Sequence, residues 1–361
     1  MDRSCLEASP RTLLLIPSII RTAQQIDRAD DSPTMDYRAL QVRLSAEIAD
    51  YASADADNHP LVRLARGLGR DAALAAHGFL RRRDFDVIYS NGENVGIPLG
   101  ALLGGVRSRP GHVLIGHRLS PPKKRALLRA VQGAMDVVFV YAATQHEYGI
   151  RVLGWPREKL RLIPFHADHR FWKPTGQPIR RMVCSAGLEW RDYPTLVDAA
   201  SPIPGLEVRL GAASPWSKHR NETRGRALPA NVTAQRYTYA ELRDLYASAS
   251  CVVVPLYDND FQAGVTTILE GMAVGRPVIA TRTAGQRDVI RDGVNGLYVA
   301  PGDPDALRAA IVAVLEDPSR AAALGAAARR TIEEQMTLDH WVESLTDAIM
   351  LVAAQRRSAT R

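Results

Sequence analysis

Short aliphatic runs alternate with longer Ala-, Leu- and Arg-rich stretches along almost the whole chain, and they do so in two successive series. Leu13–Ile16, Asp86–Tyr89, His112–Ile115, Val137–Tyr141 and Leu160–Ile163 make up the first. Met182–Ser185, Leu206–Leu210, Val232–Gln235, Cys251–Pro255, Val278–Thr281 and Leu297–Val299 make up the second. Parallel strands are buried on both faces and need a crossover helix between them, so this rhythm predicts βαβ units. Two series in 361 residues predict an α/β protein of two doubly wound, Rossmann-like domains.

The stretch 166–178, HADHRFWKPTGQP, holds two prolines and a glycine and loses all periodicity, which marks a linker. The expected domains are therefore 1–172 and 173–340. From Asp305 onward successive helices are expected, broken at Asp317-Pro318 and near Met336, with a frayed basic tail at Arg356–Arg361.

Charge is uneven. Residues before Gln177 carry 25 basic and 18 acidic side chains (25 − 18 = +7), and the remainder 21 of each (21 − 21 = 0). A positive field confined to one half favours an acidic ligand or an anionic surface met by that half. The basic clusters, Arg81-Arg82-Arg83 and Lys123-Lys124-Arg125 with Arg129, are not interleaved with stacking aromatics, so nucleic acid is not the expected partner. Lys123, Lys124, Arg125 and Arg129 start a helix that is a candidate peripheral contact with an anionic membrane. Cys5, Cys184 and Cys251 are too scattered for a disulfide framework or a metal site, and no stretch reaches the ~20 apolar residues of a membrane span. A cytoplasmic protein without signal peptide, resting at most peripherally on the membrane, is expected.

The densest chemistry lies in Tyr257–Thr281, YDNDFQAGVTTILEGMAVGRPVIAT. An apolar strand ends at Pro255, a small-residue turn follows at Ala263-Gly264, and a helix then runs to a glycine stop at Gly275. Backbone N–H groups of Gly264, Val265 and Thr266 would have no helical partner, and with the helix dipole they make an anion site. Glu270 falls roughly one and a half turns into the helix. A carboxylate there can accept from two neighbouring hydroxyls, as a ribose presents; an ordinary α/β turn with a solvated glutamate is the plainer alternative.

This segment resembles the C-terminal signature of glycosyltransferase family 4, retaining enzymes of GT-B fold, in which E-x7-E precedes a run such as EAMAxGxPVIA. Here Glu270-Gly271-Met272-Ala273, Gly275 and Arg276-Pro277-Val278-Ile279-Ala280 match, followed by Arg291-Asp292-Gly293-Val294-Asn295-Gly296-Leu297 and Pro301-Gly302-Asp303. Leu160–Pro164 through Asp168 to Phe171-Trp172-Lys173-Pro174 resembles the family's linker. Gly187–Leu196, GLEWRDYPTL, resembles the run after the first strand of its second domain.

The resemblance implies two Rossmann-like domains facing a cleft, with C-terminal helices (341–361) returning to the first. It implies transfer of a sugar from a nucleotide diphosphate sugar to a hydroxyl acceptor (glycolipid, glycan or small molecule). Arg191 and the Gly264–Thr266 amides would hold the diphosphate, Glu270 the ribose, and the turn at Arg236 and Tyr237 the nucleobase. His117, ending the run Val113–His117, and Gln262 would orient the sugar. No metal is expected, because the helix start and Arg191 can neutralise the leaving diphosphate; Asp84-Phe85-Asp86 and Asp258-Asn259-Asp260 spell D-x-D, a match common by chance.

Three departures stand out. Gln262 replaces the first glutamate of E-x7-E, Leu188 stands where an arginine is usual, and Ile16-Pro17-Ser18-Ile19 lacks the usual glycine pair. A non-catalytic nucleotide-sugar-binding partner subunit and a GT-B nucleotide-sugar epimerase are the rival expectations.

Overall fold

The computed structural model describes residues 9–20, 31–211 and 228–360, which fall into two compact units. The first holds the N-terminal strand, Met35–Ile163 and the helical end of the chain from Trp341. The second holds Pro164–His340.

The first sheet comprises β1 (Thr12–Leu15), β2 (Glu47–Ala49), β3 (Val87–Asn91), β4 (Gly111–Ile115), β5 (Val137–Val140) and β6 (Leu160–Leu162), all parallel, in the order β2-β1-β3-β4-β5-β6. The second comprises β7 (Met182–Ala186), β8 (Glu207–Gly211), β9 (Val232–Gln235), β10 (Cys251–Val254), β11 (Val278–Thr281) and β12 (Leu297–Val299), also all parallel, in the order β12-β11-β10-β7-β8-β9. Strands β1, β4, β5, β7, β10 and β11 are buried along their whole length, which is why their sequences are predominantly apolar rather than alternating. β2 was not expected: three residues on a sheet edge, only Ala49 of them buried, leave no apolar run to read.

Helix starts follow local chemistry. Asp192, Asp303 and Asp317 each accept a backbone N–H from the first turn, with proline close behind at Pro194, Pro304 and Pro318. Cys184 and Cys251 are fully buried on neighbouring strands, where burial pushes the Cys251 thiol up to about 12, so both act as packing residues; Cys5 lies outside the described residues.

The first unit ends at Ile163, short of the expected boundary at Trp172 and Lys173. Aromatic packing explains it: Trp172 is buried 5.7 Å from the Tyr246 ring and 6.3 Å from Tyr239, and Arg243 lies 4.7 Å over Phe171, so these residues belong to the second unit.

The chain closes with helices Pro304–Glu316, Pro318–Gln335 and Leu338–Thr360. The last runs through the expected frayed tail, because Arg356 pairs with Asp136 and Arg357 reaches Asp86 at 3.8 Å; Arg361 lies outside the described residues. No described helix is long and apolar enough to cross a membrane.

Both strand orders reverse once, between β1 and β3 in the first sheet and between β7 and β10 in the second. Ligands of open α/β sheets bind at the carboxyl ends of strands at such reversals.

One side chain anchors the helix that starts at the second reversal. Arg329 Nη1 donates to the carbonyls of His169 (3.1 Å), Trp172 (2.8 Å) and Ala273 (2.6 Å), the last being the final residue of helix Val265–Ala273. Arg329→Met leaves these carbonyls without that donor, and is expected to cost about 2–3 kcal/mol in urea denaturation. A loss below about 0.5 kcal/mol would mean that the carbonyls find other partners.

Candidate functional site

At the reversal in the second sheet the loops after β7 and β10 pair with each other. Asp192 N–H donates to the Pro255 carbonyl (3.1 Å) and Tyr257 N–H to the Trp190 carbonyl (3.1 Å). Trp190 takes a left-handed backbone (φ 54°), unusual for a bulky residue, and its ring meets Phe261 edge-on at 6.1 Å. This tight turn folds Arg191 back into the gap between the loops.

Arg191 is buried, and its guanidinium is fixed by donation from Nε to the Ala186 carbonyl (2.8 Å), from Nη1 to the Glu189 carbonyl (2.8 Å) and from Nη2 to Thr267 Oγ1 (3.0 Å). Of its five N–H groups, three are used in this way. Two glycines make room for it. A Cβ on Gly187 would lie 2.7 Å from Nη2, and one on Gly264 would lie 3.0 Å from Nη1 and 2.7 Å from Val254 Cγ1. Both have positive φ, 92° and 77°, so a side chain there is excluded by backbone as well as by space.

Gly264 caps helix Val265–Ala273, and no side chain caps that end. The structure thus brings Arg191 against the helix start expected to bind an anion. One detail differs from expectation: Val265 N–H already donates to the Gln262 carbonyl (3.3 Å), which leaves the amides of Gly264 and Thr266 at the open end. Leu188 packs onto the apolar core of the second unit, so that position adds no cation.

Glu270 is buried one turn deeper, accepting from Tyr246 Oη (3.2 Å). Burial pushes its carboxyl up to about 8, against the pull of that hydrogen bond and of the Arg191 charge; burial also lowers Arg191 from its ordinary value. Gln262 is buried, with its amide nitrogen 3.3 Å from Asp288 Oδ2. Arg236 is exposed and Tyr237 half-buried in the turn between β9 and helix Tyr239–Ser248, apart from this cluster.

In the first unit His117 follows β4. Its N–H donates to Glu93 Oε2 (2.9 Å) and its Nδ1 lies 3.1 Å from Tyr141 Oη. Glu93 opens helix Glu93–Gly104 directly after β3, at the reversal of that sheet. Burial raises its carboxyl, yet the charges of Lys124 and His117 and the hydrogen bonds around it outweigh that and hold it below the usual range.

Lys124 is therefore not a surface cation: its Nζ sits 2.6 Å from Glu93 Oε1 and also donates to the Arg118 carbonyl. Lys123, Arg125 and Arg129 remain exposed on helix Pro122–Val131, with Arg129 also bonded to the Val152 carbonyl. Sequence reasoning overlooked Glu93, Tyr246, Thr267 and Asp288. Only Glu93 carried a usable signal, a glycine-acid pair at a strand end.

Residues 183–317, which carry the whole Arg191–Glu270 cluster, match the family described as Glycosyl transferases group 1. The chain resembles sucrose-phosphate synthase from Thermosynechococcus elongatus with a TM-score of 0.74 at 18% identity, over 96% of this chain and 100% of that one. The fold is GT-B. HepE from Anabaena, solved in complex with UDP-glucose, is similar in the same way (TM-score 0.69, 17% identity, 96% and 100% covered). Among curated relatives, D-inositol 3-phosphate glycosyltransferase from Thermobispora bispora is 41% identical over 90 residues, 25% of this chain and 20% of that protein. The matched segments span between 19% and 60% of the curated relatives' own lengths.

The Glu270 environment has a pH signature. Its folded pKa lies above the ordinary value of 4.5, so the group stabilises the fold while protonated, fully below about pH 4.5, and loses that contribution as pH rises through about 8. Glu270→Gln keeps the neutral shape. The variant is expected to match wild type near pH 4 and to exceed it at pH 9 by on the order of 5 kcal/mol in thermal or urea unfolding. Parallel pH profiles for the two proteins would contradict the burial argument.

Proposed function

We propose that this protein is a retaining, metal-independent glycosyltransferase that moves a sugar from a nucleotide diphosphate sugar to a hydroxyl acceptor. The observation that carries the reading is the placement of Arg191 against the uncapped helix start at Gly264. A fixed guanidinium beside open backbone amides matches the charge and shape of a diphosphate. The same group becomes the leaving group of the transfer, so the cluster stabilises charge as it develops and needs no cation for that purpose.

On this reading the second unit takes the donor. Gly264 and Thr266 amides and Arg191 hold the diphosphate, Glu270 accepts from the ribose hydroxyls, Gln262 faces the sugar, and the Arg236–Tyr237 turn lies toward the base. The first unit takes the acceptor, with His117 as hydrogen-bonding partner of the transferred sugar. Its ring is oriented by Tyr141 and its backbone by Glu93. Lys123, Arg125 and Arg129, with the exposed Leu127, are spread over the solvent side of helix Pro122–Val131, a candidate contact with an anionic membrane carrying a glycolipid acceptor. UDP-glucose in HepE and the inositol phosphate in the relative's name support this chemical class of donor and acceptor. A donor-binding subunit without turnover is the second reading, favoured by Leu188, which packs against the core, and by Gln262.

With a panel of nucleotide sugars and excess chelator, wild type is expected to release nucleoside diphosphate from at least one donor. Proton NMR should show the donor's anomeric configuration in the product. Arg191→Met should lower kcat/KM by about 10²–10³-fold, the scale on which loss of one charge-stabilising donor acts. Donor binding without any turnover would favour the subunit reading. Activity that vanishes with chelator would overturn metal independence.

A further inference from the structure

Where the resembling family carries a glutamate, this chain has Gln262, and the structure shows what stands beside it. Asp288, from the segment after β11, places Oδ2 3.3 Å from Gln262 Nε2. An ionised carboxylate only accepts, so it dictates which end of the amide faces it: the NH₂ points to Asp288 and the carbonyl points away. That carbonyl oxygen, Gln262 Oε1, is buried and has no partner among the described residues. Gln286 repeats the arrangement: its Nε2 donates to the Ala263 carbonyl (3.0 Å), and its own Oε1 is buried without a partner among the described residues.

The two segments are clamped together. Gly285 N–H donates to the Asn259 carbonyl (3.0 Å), and a Cβ on Gly285 would fall 2.1 Å from the Phe261 backbone. Asp288 lies three residues after this clamp and is exposed. The result is an acceptor-rich corner beside Ala263-Gly264, opposite in character to the donor-rich corner formed by Arg191 and the amides. The two glutamine carbonyl oxygens, without a donor among the described residues, suit the hydroxyls of a sugar; the diphosphate belongs to the other corner.

We propose that Asp288 supplies the negative charge missing at position 262, and that Gln262 and Asp288 together bind hydroxyls of the donor's sugar. The charge has moved by one side chain, from the helix-start loop to the segment after β11. Asp288 orients Gln262 and shares its ligand. The proposal rests on the reading of this unit as the donor half.

The test separates the sugar from the diphosphate. Calorimetric affinities of the full chain for UDP-glucose, GDP-mannose and ADP-glucose are each divided by that for the free nucleoside diphosphate. Asp288→Asn is expected to weaken this sugar-dependent ratio at least about tenfold while the diphosphate alone binds as in wild type. Gln262→Glu alone sets two carboxylates in contact and should weaken the ratio too. The double variant Gln262→Glu/Asp288→Asn returns one charge to the pair and should recover the ratio to within about threefold of wild type. An unchanged ratio in Asp288→Asn, with diphosphate binding intact, overturns the proposal and leaves the donor-half reading standing. If Asp288→Asn loses diphosphate binding as well, the double variant decides: recovery supports the charge transfer and failure to recover overturns it. Wild type that binds none of the six ligands overturns the donor-half reading and the proposal with it.

Discussion

A buried guanidinium has to be surrounded by acceptors, and the carboxyl-end loops of the second sheet are built around one. Arg191 gathers the Ala186 and Glu189 carbonyls and the Thr267 hydroxyl, and Thr267 in turn donates to Ala186. Because these partners come from the end of β7, the loop after it and helix Val265–Ala273, the cation locks the helix start to the strand end. The two glycines it abuts follow from the same fact, since any side chain at Gly187 or Gly264 would occupy its place. What remains is a cation with N–H groups to spare, next to amides that the helix cannot use.

Burial around this point sorts the charges. Glu270 lies deep enough that desolvation outweighs both the Tyr246 hydrogen bond and the Arg191 charge, so its carboxyl is held near neutrality. A ligand hydroxyl that donates to it favours the ionised form, and proton release then accompanies binding. The first unit solves the parallel problem differently. Glu93 is equally buried, but Lys124 and the amides of His117 and Arg118 compensate it, which fixes the loop bearing His117. A lysine that reads as a surface charge in the sequence is thereby half-buried in an ion pair.

Much of this was legible in the residues. Short β-rich runs marked every strand but β2, and the strands buried along their whole length carry few polar residues; β8 (EVRLG) alternates, and β2 lies on an edge with only Ala49 buried. The helix breaks at Asp317-Pro318 and Met336 followed from caps and proline chemistry. Arg191, Gly264 and Glu270 stood out through their motif spacing, and the structure gathers Arg191, Gly264 and Gln262 at one end of the sheet. Contacts between distant segments stayed hidden. Asp288 lies 26 residues from Gln262, and nothing local announces that Gly285 lets the two backbones touch. The end of the first unit at Ile163 was hidden in the same way, since the apparent linker is held by aromatic rings of a helix some seventy residues later.

On the donor-half reading, the Gly264 helix start with Arg191 is a diphosphate site. Amide hydrogen exchange across residues 259–275, with and without saturating UDP, GDP or ADP, tests it most directly, since bound phosphate oxygens must occupy the open N–H groups. Slower exchange at Gly264 and Thr266 is expected with at least one of the three, and loss of that protection in Arg191→Met. Nucleotide binding detected by calorimetry with no protection at these amides would contradict it.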